Sequence, residues 1–300
     1  MKLKFLLPLL FLSLFCKAQT RYIDDLFQPK KAIEKVYATK DGEQLKLYVY
    51  EPKNDSAGNR PVIIFMHGGG FGVGSPHNPA EVKFAKECAK KGYVAVQIGY
   101  RLTRKGKGFG CDYSAEGKRE TFKKAAEDYL DAVKYMIQHQ EEFNIDPNQI
   151  IAGGSSAGAE AVLHAVYQQN LLFEDASAYE NIKFSGLFSL AGAMLDVRYL
   201  NKENATPAVF FHGTADNLVP YATAPHHYCD KNAPGYLILD GSKTIAERLK
   251  QLETSYLLYT FKEAKHEISS IPFDYLDQVF PYFKEVFLEK KHIQSEVTIE

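Results

Sequence analysis

Tryptophan is absent from the 300 residues, and cysteine and methionine occur only four times each. The large side chains are therefore 20 Phe and 19 Tyr. Neither sign of charge is in excess: 36 basic against 37 acidic residues give a formal charge of -1, so nucleic acid has no electrostatic reason to bind. No basic stripe is interleaved with aromatics, and no segment repeats at solenoid spacing. None of the cysteines sits in a catalytic-thiol or metal-site pattern. What remains, 45% hydrophobic and 24% charged, is the composition of an ordinary globular chain with a sizeable core.

Long apolar runs are also scarce, and the one at the N-terminus is short. Lys2 and Lys4 precede an apolar run from Phe5 to Phe15, and Cys16-Lys17-Ala18 has the small-x-small form of a signal-peptidase site. Eleven residues fall well short of the roughly 20 that a membrane-spanning helix needs. This pattern predicts a signal peptide over residues 1–18 and a secreted or periplasmic protein with no integral membrane span. A lipoprotein with Cys16 modified is the alternative, although Phe15 is bulky where a small residue is wanted; an uncleaved anchor is another. Cleavage would remove three lysines (Lys2, Lys4, Lys17) and no acid, taking the formal charge from -1 to -4. In an oxidising compartment Cys111 and Cys229, both in polar, loop-like surroundings, are the better candidates for a bridge. Cys88, in an amphipathic stretch, reads as a buried free thiol.

Ile33–Thr39 and Gln44–Glu51 alternate and flank Asp41-Gly42, the pattern of a hairpin. After Pro61 the chain changes to short continuous apolar runs: Val62–Met66, Val94–Ile98, Ile150–Ala152, Phe184–Leu190, Ala208–Phe211 and Tyr256–Phe261. Runs without alternation suit strands buried on both faces of a parallel sheet. Helical stretches fall near Ala80–Lys91, Lys118–Glu142, Ala157–Asn170, Ser242–Thr254 and Tyr275–Lys290. Strand-helix alternation of this kind predicts a single doubly wound α/β domain over residues 19–300, mostly parallel, with an antiparallel hairpin at one edge. Thr103–Arg119 breaks the rhythm with glycines and basic residues, and reads as a small excursion over the strand C-termini, a minimal cap.

Gly154-Ser155-Ser156-Ala157-Gly158 follows one predicted strand and opens a predicted helix, the setting of a nucleophile elbow. Flanking glycines let strand and helix approach, and the helix N-terminus aims free N–H groups at developing negative charge. A chance serine-glycine loop is the bland alternative, and Ser155 is the competing serine. His67-Gly68-Gly69-Gly70-Phe71 follows another strand. A plain tight turn would explain the glycines, but no Gly-Lys-Ser/Thr follows to make a phosphate loop. In a hydrolase Gly69 and Gly70 would donate to an oxyanion alongside Ala157, with His67 holding the loop rather than acting as base.

These motifs resemble those of the α/β-hydrolase superfamily, and within it the carboxylesterase and hormone-sensitive-lipase-like enzymes with an HGGGF oxyanion loop. The likeness runs from about Pro61 to Lys290. It includes Tyr100-Arg101-Leu102, Phe143-Asn144-Ile145-Asp146-Pro147, His212-Gly213-Thr214-Ala215-Asp216 with Val219-Pro220, and Lys265-His266. Many relatives carry an acidic residue before the nucleophile, where this chain has Ser155.

A serine hydroxyl needs a neutral imidazole to take its proton, and a carboxylate to hold that imidazole's tautomer. The fold orders these Ser, acid, His. Among histidines after Ser156, His164 lies inside the elbow helix, and His212 precedes the acid. His226 and His227 come early, and His292 falls in a polar tail. His266 follows the last predicted strand. Asp216 comes shortly after the strand Ala208–Phe211, with Asp196 as rival acid. The expected chemistry is acyl transfer by Ser156, Asp216 and His266 on short-chain or polysaccharide-linked acyl esters, acetyl and feruloyl groups included, with no metal or cofactor. Tyr100, Tyr113 and the Gly241-Ser242 loop are candidate pocket linings, with burial in the core as their alternative. An exopeptidase of the same fold and a non-catalytic binding relative are the rival readings.

Overall fold

Asp41 and Gly42 take positive φ of 53° and 80°, as a two-residue type I′ turn requires. Across them β1 (Ile33–Lys40) pairs antiparallel with β2 (Glu43–Tyr50). The computed structural model describes residues 19–300; the expected signal peptide lies outside the described residues. Downstream come β3 (Arg60–Met66), β4 (Val94–Ile98), β5 (Ile145–Ser155), β6 (Gly186–Leu190), β7 (Ala193–Met194), β8 (Ala208–Gly213), β9 (Thr223–Pro225), β10 (Ile238–Gly241), β11 (Tyr256–Phe261) and β12 (Gln294–Ile299). The helices are α1 (Pro79–Lys90), α2 (Ala115–Gln138), α3 (Gln140–Phe143), α4 (Ala157–Tyr167), α5 (Gln169–Leu172), α6 (Ser242–Gln251) and α7 (Leu276–Tyr282). A π-helical stretch, Phe283–Leu288, continues α7.

Nine strands form one sheet in the order β1-β2-β4-β3-β5-β6-β8-β11-β12. From β4 onward every neighbouring pair is parallel. The continuous apolar runs feed both faces at once. In β3, Val62, Ile64 and Met66 join the core under α2, α4 and α6, while Ile63 and Phe65 join the one under α1 and α7. The second core is phenylalanine-rich: Phe65, Phe84, Phe188 and Phe283 meet with ring centroids 5.4–6.4 Å apart. Each fully buried ring adds roughly 2–3 kcal/mol of apolar burial.

The structure departs from sequence expectation at several places. The polar tail around His292 leads into β12, an edge strand parallel to β11. Its outer side has no strand neighbour among the described residues, so polar residues are tolerated there, and Glu296 accepts from Lys243 and Tyr256. A three-stranded sheet β7-β10-β9 has no counterpart in the sequence pattern, because strands of two to four residues are too short to show a period. Finally, the irregular stretch after Thr103 ends sooner than expected, at Ser114, whose hydroxyl accepts from the Gly117 N–H and caps α2.

That stretch does reach over the strand C-termini, and it is joined there by a second segment that was not foreseen, between β8 and β10. Cys111 and Cys229 form a disulfide between them across 118 residues of chain. The Gly235 N–H donates to Cys111 O, and the buried Lys118 donates from Nζ to Gly235 O at 2.8 Å. Cys88 is buried and free. Closing so long a loop restricts the unfolded chain strongly. Replacing both bridge cysteines by serine is expected to lower the unfolding free energy by about 2–5 kcal/mol, read by urea titration; a loss under about 1 kcal/mol would show the bridge to be dispensable.

Candidate active site

Strand β5 ends at Ser155 and α4 begins at Ala157, leaving Ser156 alone on the turn with φ 51° and ψ -124°. Such a backbone costs a non-glycine residue roughly 1–3 kcal/mol, so the surroundings must impose it. The Ser156 N–H is pinned to Leu190 O at 2.8 Å. Glycine makes the turn sterically feasible: a Cβ on Gly158 would sit 2.2 Å from Met66 O. Gly158→Ala is therefore expected to destabilise the protein by roughly 1–3 kcal/mol and to lower the melting temperature in a thermal scan. An unchanged transition would mean that α4 and β3 can separate.

Ser156 Oγ lies 2.7 Å from His266 Nε2, and His266 Nδ1 lies 2.7 Å from Asp216 Oδ2. Asp216 is buried, and its Oδ1 accepts the N–H groups of Leu218 and Val219. Burial alone would raise its pKa, but hydrogen bonds and charge attraction from His212 and His266 outweigh burial and hold the carboxyl below the usual carboxylate range. An ionised carboxylate only accepts, so His266 carries its proton on Nδ1 and presents bare Nε2 to the serine hydroxyl. Asp196 is elsewhere, capping the turn Val197–Tyr199 and paired with Arg198.

Opposite the serine, the turn after β3 runs through Gly69 (φ 118°) and Gly70 (φ 57°). A side chain on Gly69 would collide with Val73 O at 2.1 Å, while Gly70 faces open space. No acceptor among the described residues takes the N–H of Gly69, Gly70 or Ala157. His67 is buried behind them; its Nδ1 donates to Gly68 O, and its carbonyl accepts from Tyr100. Burial lowers the His67 pKa, in keeping with a loop-holding role.

The three N–H groups, Ser156 and His266 share a cleft of about 530 Å³. Its apolar wall includes Val73, Phe109, Leu218 and Ile271, and its polar wall includes Glu160, His226 and His227. The expected linings are not among these. Tyr100 is buried behind His67; Tyr113 lies under Arg104 and bonds Thr121. Ser242, after Gly241, is buried beside His212.

Several side chains take roles at the site that the sequence does not assign to them. His212 Nε2 lies 3.1 Å from Val219 O and 3.4 Å from Asp216 Oδ2, backing the acid. Ser155, set aside as nucleophile, donates its hydroxyl to Ser269 O and tethers the short turn that carries His266. Glu160 and His226 are 66 positions apart in sequence and meet only through the fold. The one local signal is Glu160 itself, an acid one turn into a largely apolar elbow helix.

The sheet order, the elbow and the Ser156–His266–Asp216 arrangement define the class, an α/β-hydrolase with a serine at its nucleophile elbow. The chain belongs to the BD-FAE family, whose family model matches residues 47–196. Gut esterase 1 of Caenorhabditis elegans is 32% identical over 144 residues, covering 48% of this chain and 24% of that protein. An ethyl acetate hydrolase of Pseudomonas putida is 28% identical over 123 residues, 40% of this chain and 33% of that protein. The likeness thus spans a quarter to a third of these curated relatives. A thermophilic esterase of the planctomycete Thermogutta terrifontis shares the fold, with a TM-score of 0.63 over 85% of this chain and 92% of that one at 22% identity.

Proposed function

We propose that this chain is an exported serine carboxylesterase acting through an acyl-enzyme, and that Ser156, His266 and Asp216 are its catalytic residues. The observation that carries the reading is the hydrogen-bonded chain from Ser156 through His266 to a buried Asp216, facing three free N–H groups in one cleft. His266 Nε2 takes the hydroxyl proton as Ser156 Oγ attacks the ester carbonyl carbon. The carbonyl oxygen becomes an oxyanion held by Gly69, Gly70 and Ala157, each such donor adding about 3–4 kcal/mol of transition-state stabilisation. The carbon–alkoxy bond then breaks, and His266 returns the proton to the departing alcohol. Water repeats the sequence and releases the acid.

Small or polysaccharide-linked acyl esters, acetyl and feruloyl groups among them, are the proposed substrates. An open cleft of about 530 Å³ suits them. The similar Thermogutta terrifontis esterase has been solved with propionate and with butyrate bound, and one relative is an ethyl acetate hydrolase. Export is supported by the N-terminal sequence pattern and by the Cys111–Cys229 bridge, which an oxidising compartment preserves. The Thermogutta terrifontis enzyme is also known phosphoramylated by tabun. A fluorophosphonate probe should likewise label this protein once, on the peptide holding Ser156, as read by mass spectrometry. Labelling at Ser155, or none, would overturn the assignment.

A further inference from the structure

One turn into α4, the side chain of Glu160 reaches the wall of the Ser156 cleft, and His226 approaches from the cap segment opposite. Glu160 is 2% exposed and His226 1%. Glu160 Oε1 comes within 3.2 Å of His226 Nε2, but off any hydrogen-bonding direction. Glu160 Oε1 and both His226 ring nitrogens have no hydrogen-bond partner among the described residues. Buried polar atoms are nearly always paired within a fold, so three unpaired ones on two residues that line one cleft beside a serine hydroxyl point to a ligand group. Apolar residues would have served a purely structural wall better, because the neighbours are Phe109 and Phe122, 5.4 and 6.0 Å from the His226 ring.

The pair is uncharged near neutral pH. Burial pushes the Glu160 carboxyl up to about 8, against the attraction of His227, His266 and Lys118. Burial, aided by repulsion from Lys118, pushes His226 down to about 3. Burial likewise takes neighbouring His227 down to about 4. Glu160 then offers one O–H and one carbonyl oxygen, and His226 one N–H and one bare nitrogen. A neutral group that both donates and accepts can bond to the two side chains at once. An ammonium or a carboxylate would lose its hydration without gaining a countercharge.

We propose that Glu160 and His226 form a hydroxyl-reading subsite, selecting esters that carry a free alcohol or phenol group. The proposal rests on the esterase reading above. The hydroxyl can belong to the acyl or to the alcohol portion of the ester, and three pairs matched in shape separate the sources. They are methyl lactate with methyl isobutyrate, methyl 4-hydroxycinnamate with methyl 4-methylcinnamate, and 2-hydroxyethyl acetate with propyl acetate. For at least one pair the hydroxylated ester should be favoured about tenfold or more in kcat/KM. That ratio should collapse in Glu160→Leu and in His226→Phe, and survive in Glu160→Gln, which keeps a donor and an acceptor.

A pH arm distinguishes a hydrogen-bonding role from bulk. The groups facing Glu160 are His226 and His227 from the cap, Lys118 from α2, Tyr100, and the His266–Asp216 pair. As pH rises through about 8 the carboxyl loses its O–H, so the wild-type ratio should fall while that of Glu160→Gln stays level. If the apolar esters are turned over but no pair shows a ratio that Glu160→Leu removes, the subsite is refuted and the esterase reading stands. If none of the six esters is turned over, the esterase reading itself fails. Should the leucine variant not fold, the glutamine variant and its pH profile decide: a ratio lost in Glu160→Gln at neutral pH overturns the proposal.

Discussion

Ser156→Ala is expected to lower turnover of p-nitrophenyl acetate by about four to six orders of magnitude while the protein still folds. The reason lies in what the substitution keeps. Alanine can occupy the same strained backbone, since the pin from the residue 156 N–H to Leu190 O and the glycine approach at Gly158 do not involve the side chain. The proposed oxyanion donors at Gly69, Gly70 and Ala157 are backbone groups and persist, so a residual rate above that of water should remain. What disappears is the oxygen 2.7 Å from His266 Nε2. Far-ultraviolet circular dichroism should match the parent. A rate within tenfold of the parent would end the assignment of Ser156 as nucleophile.

Asp216→Asn should cost about 10³–10⁴-fold in kcat, with little change in substrate binding. An asparagine amide has two orientations at this site, and both fail. With the NH₂ toward His266 Nδ1, two donors face each other unless the imidazole moves its proton to Nε2, and Nε2 can then no longer accept from Ser156. With the amide reversed, the NH₂ points at the N–H groups of Leu218 and Val219, which now bond Oδ1 at 2.9 and 3.0 Å. Stability should fall too. The carboxyl is held below its ordinary range in the folded state, so Asp216 contributes stability above the unfolded pKa of roughly 4, and this is lost as pH falls further. The difference in unfolding free energy between parent and variant should therefore narrow on acidification below about pH 4. A kcat within tenfold of the parent would remove Asp216 from the relay.

Much of this site was legible along the chain because its chemistry is local. A strand run, Gly-x-Ser-x-Gly and an apolar helix in succession place Ser156 on a turn, since backbone sterics there depend on residues within four positions. The glycines of His67-Gly68-Gly69-Gly70-Phe71 likewise imply positive φ after a buried strand, and Gly69 and Gly70 adopt it. Asp216 and His266 were found by their places after the runs that became β8 and β11. Harder to read were segments whose pairing lies far off in sequence. Strand β12 has an ordinary polar composition and is a strand because β11 offers it an edge. Tyr100 and Tyr113 stood as candidate linings because sequence cannot tell a ring in the wall from a ring behind it.

Sequence by itself therefore determined which residue types could perform acyl transfer, the turn geometry of Ser156, and the buried parallel character of the strands. Each of these follows from local sterics and from burial on two faces. The tertiary structure alone decided what meets in the cleft. The sheet order sets β5, β6, β8 and β11 side by side, so their C-terminal ends bring Ser156, Asp216 and His266 into contact. The bridge between Cys111 and Cys229 holds a second cap segment over them, with His226 set against Glu160. Those contacts join residues tens to more than a hundred positions apart, and no local periodicity encodes a distance of that kind.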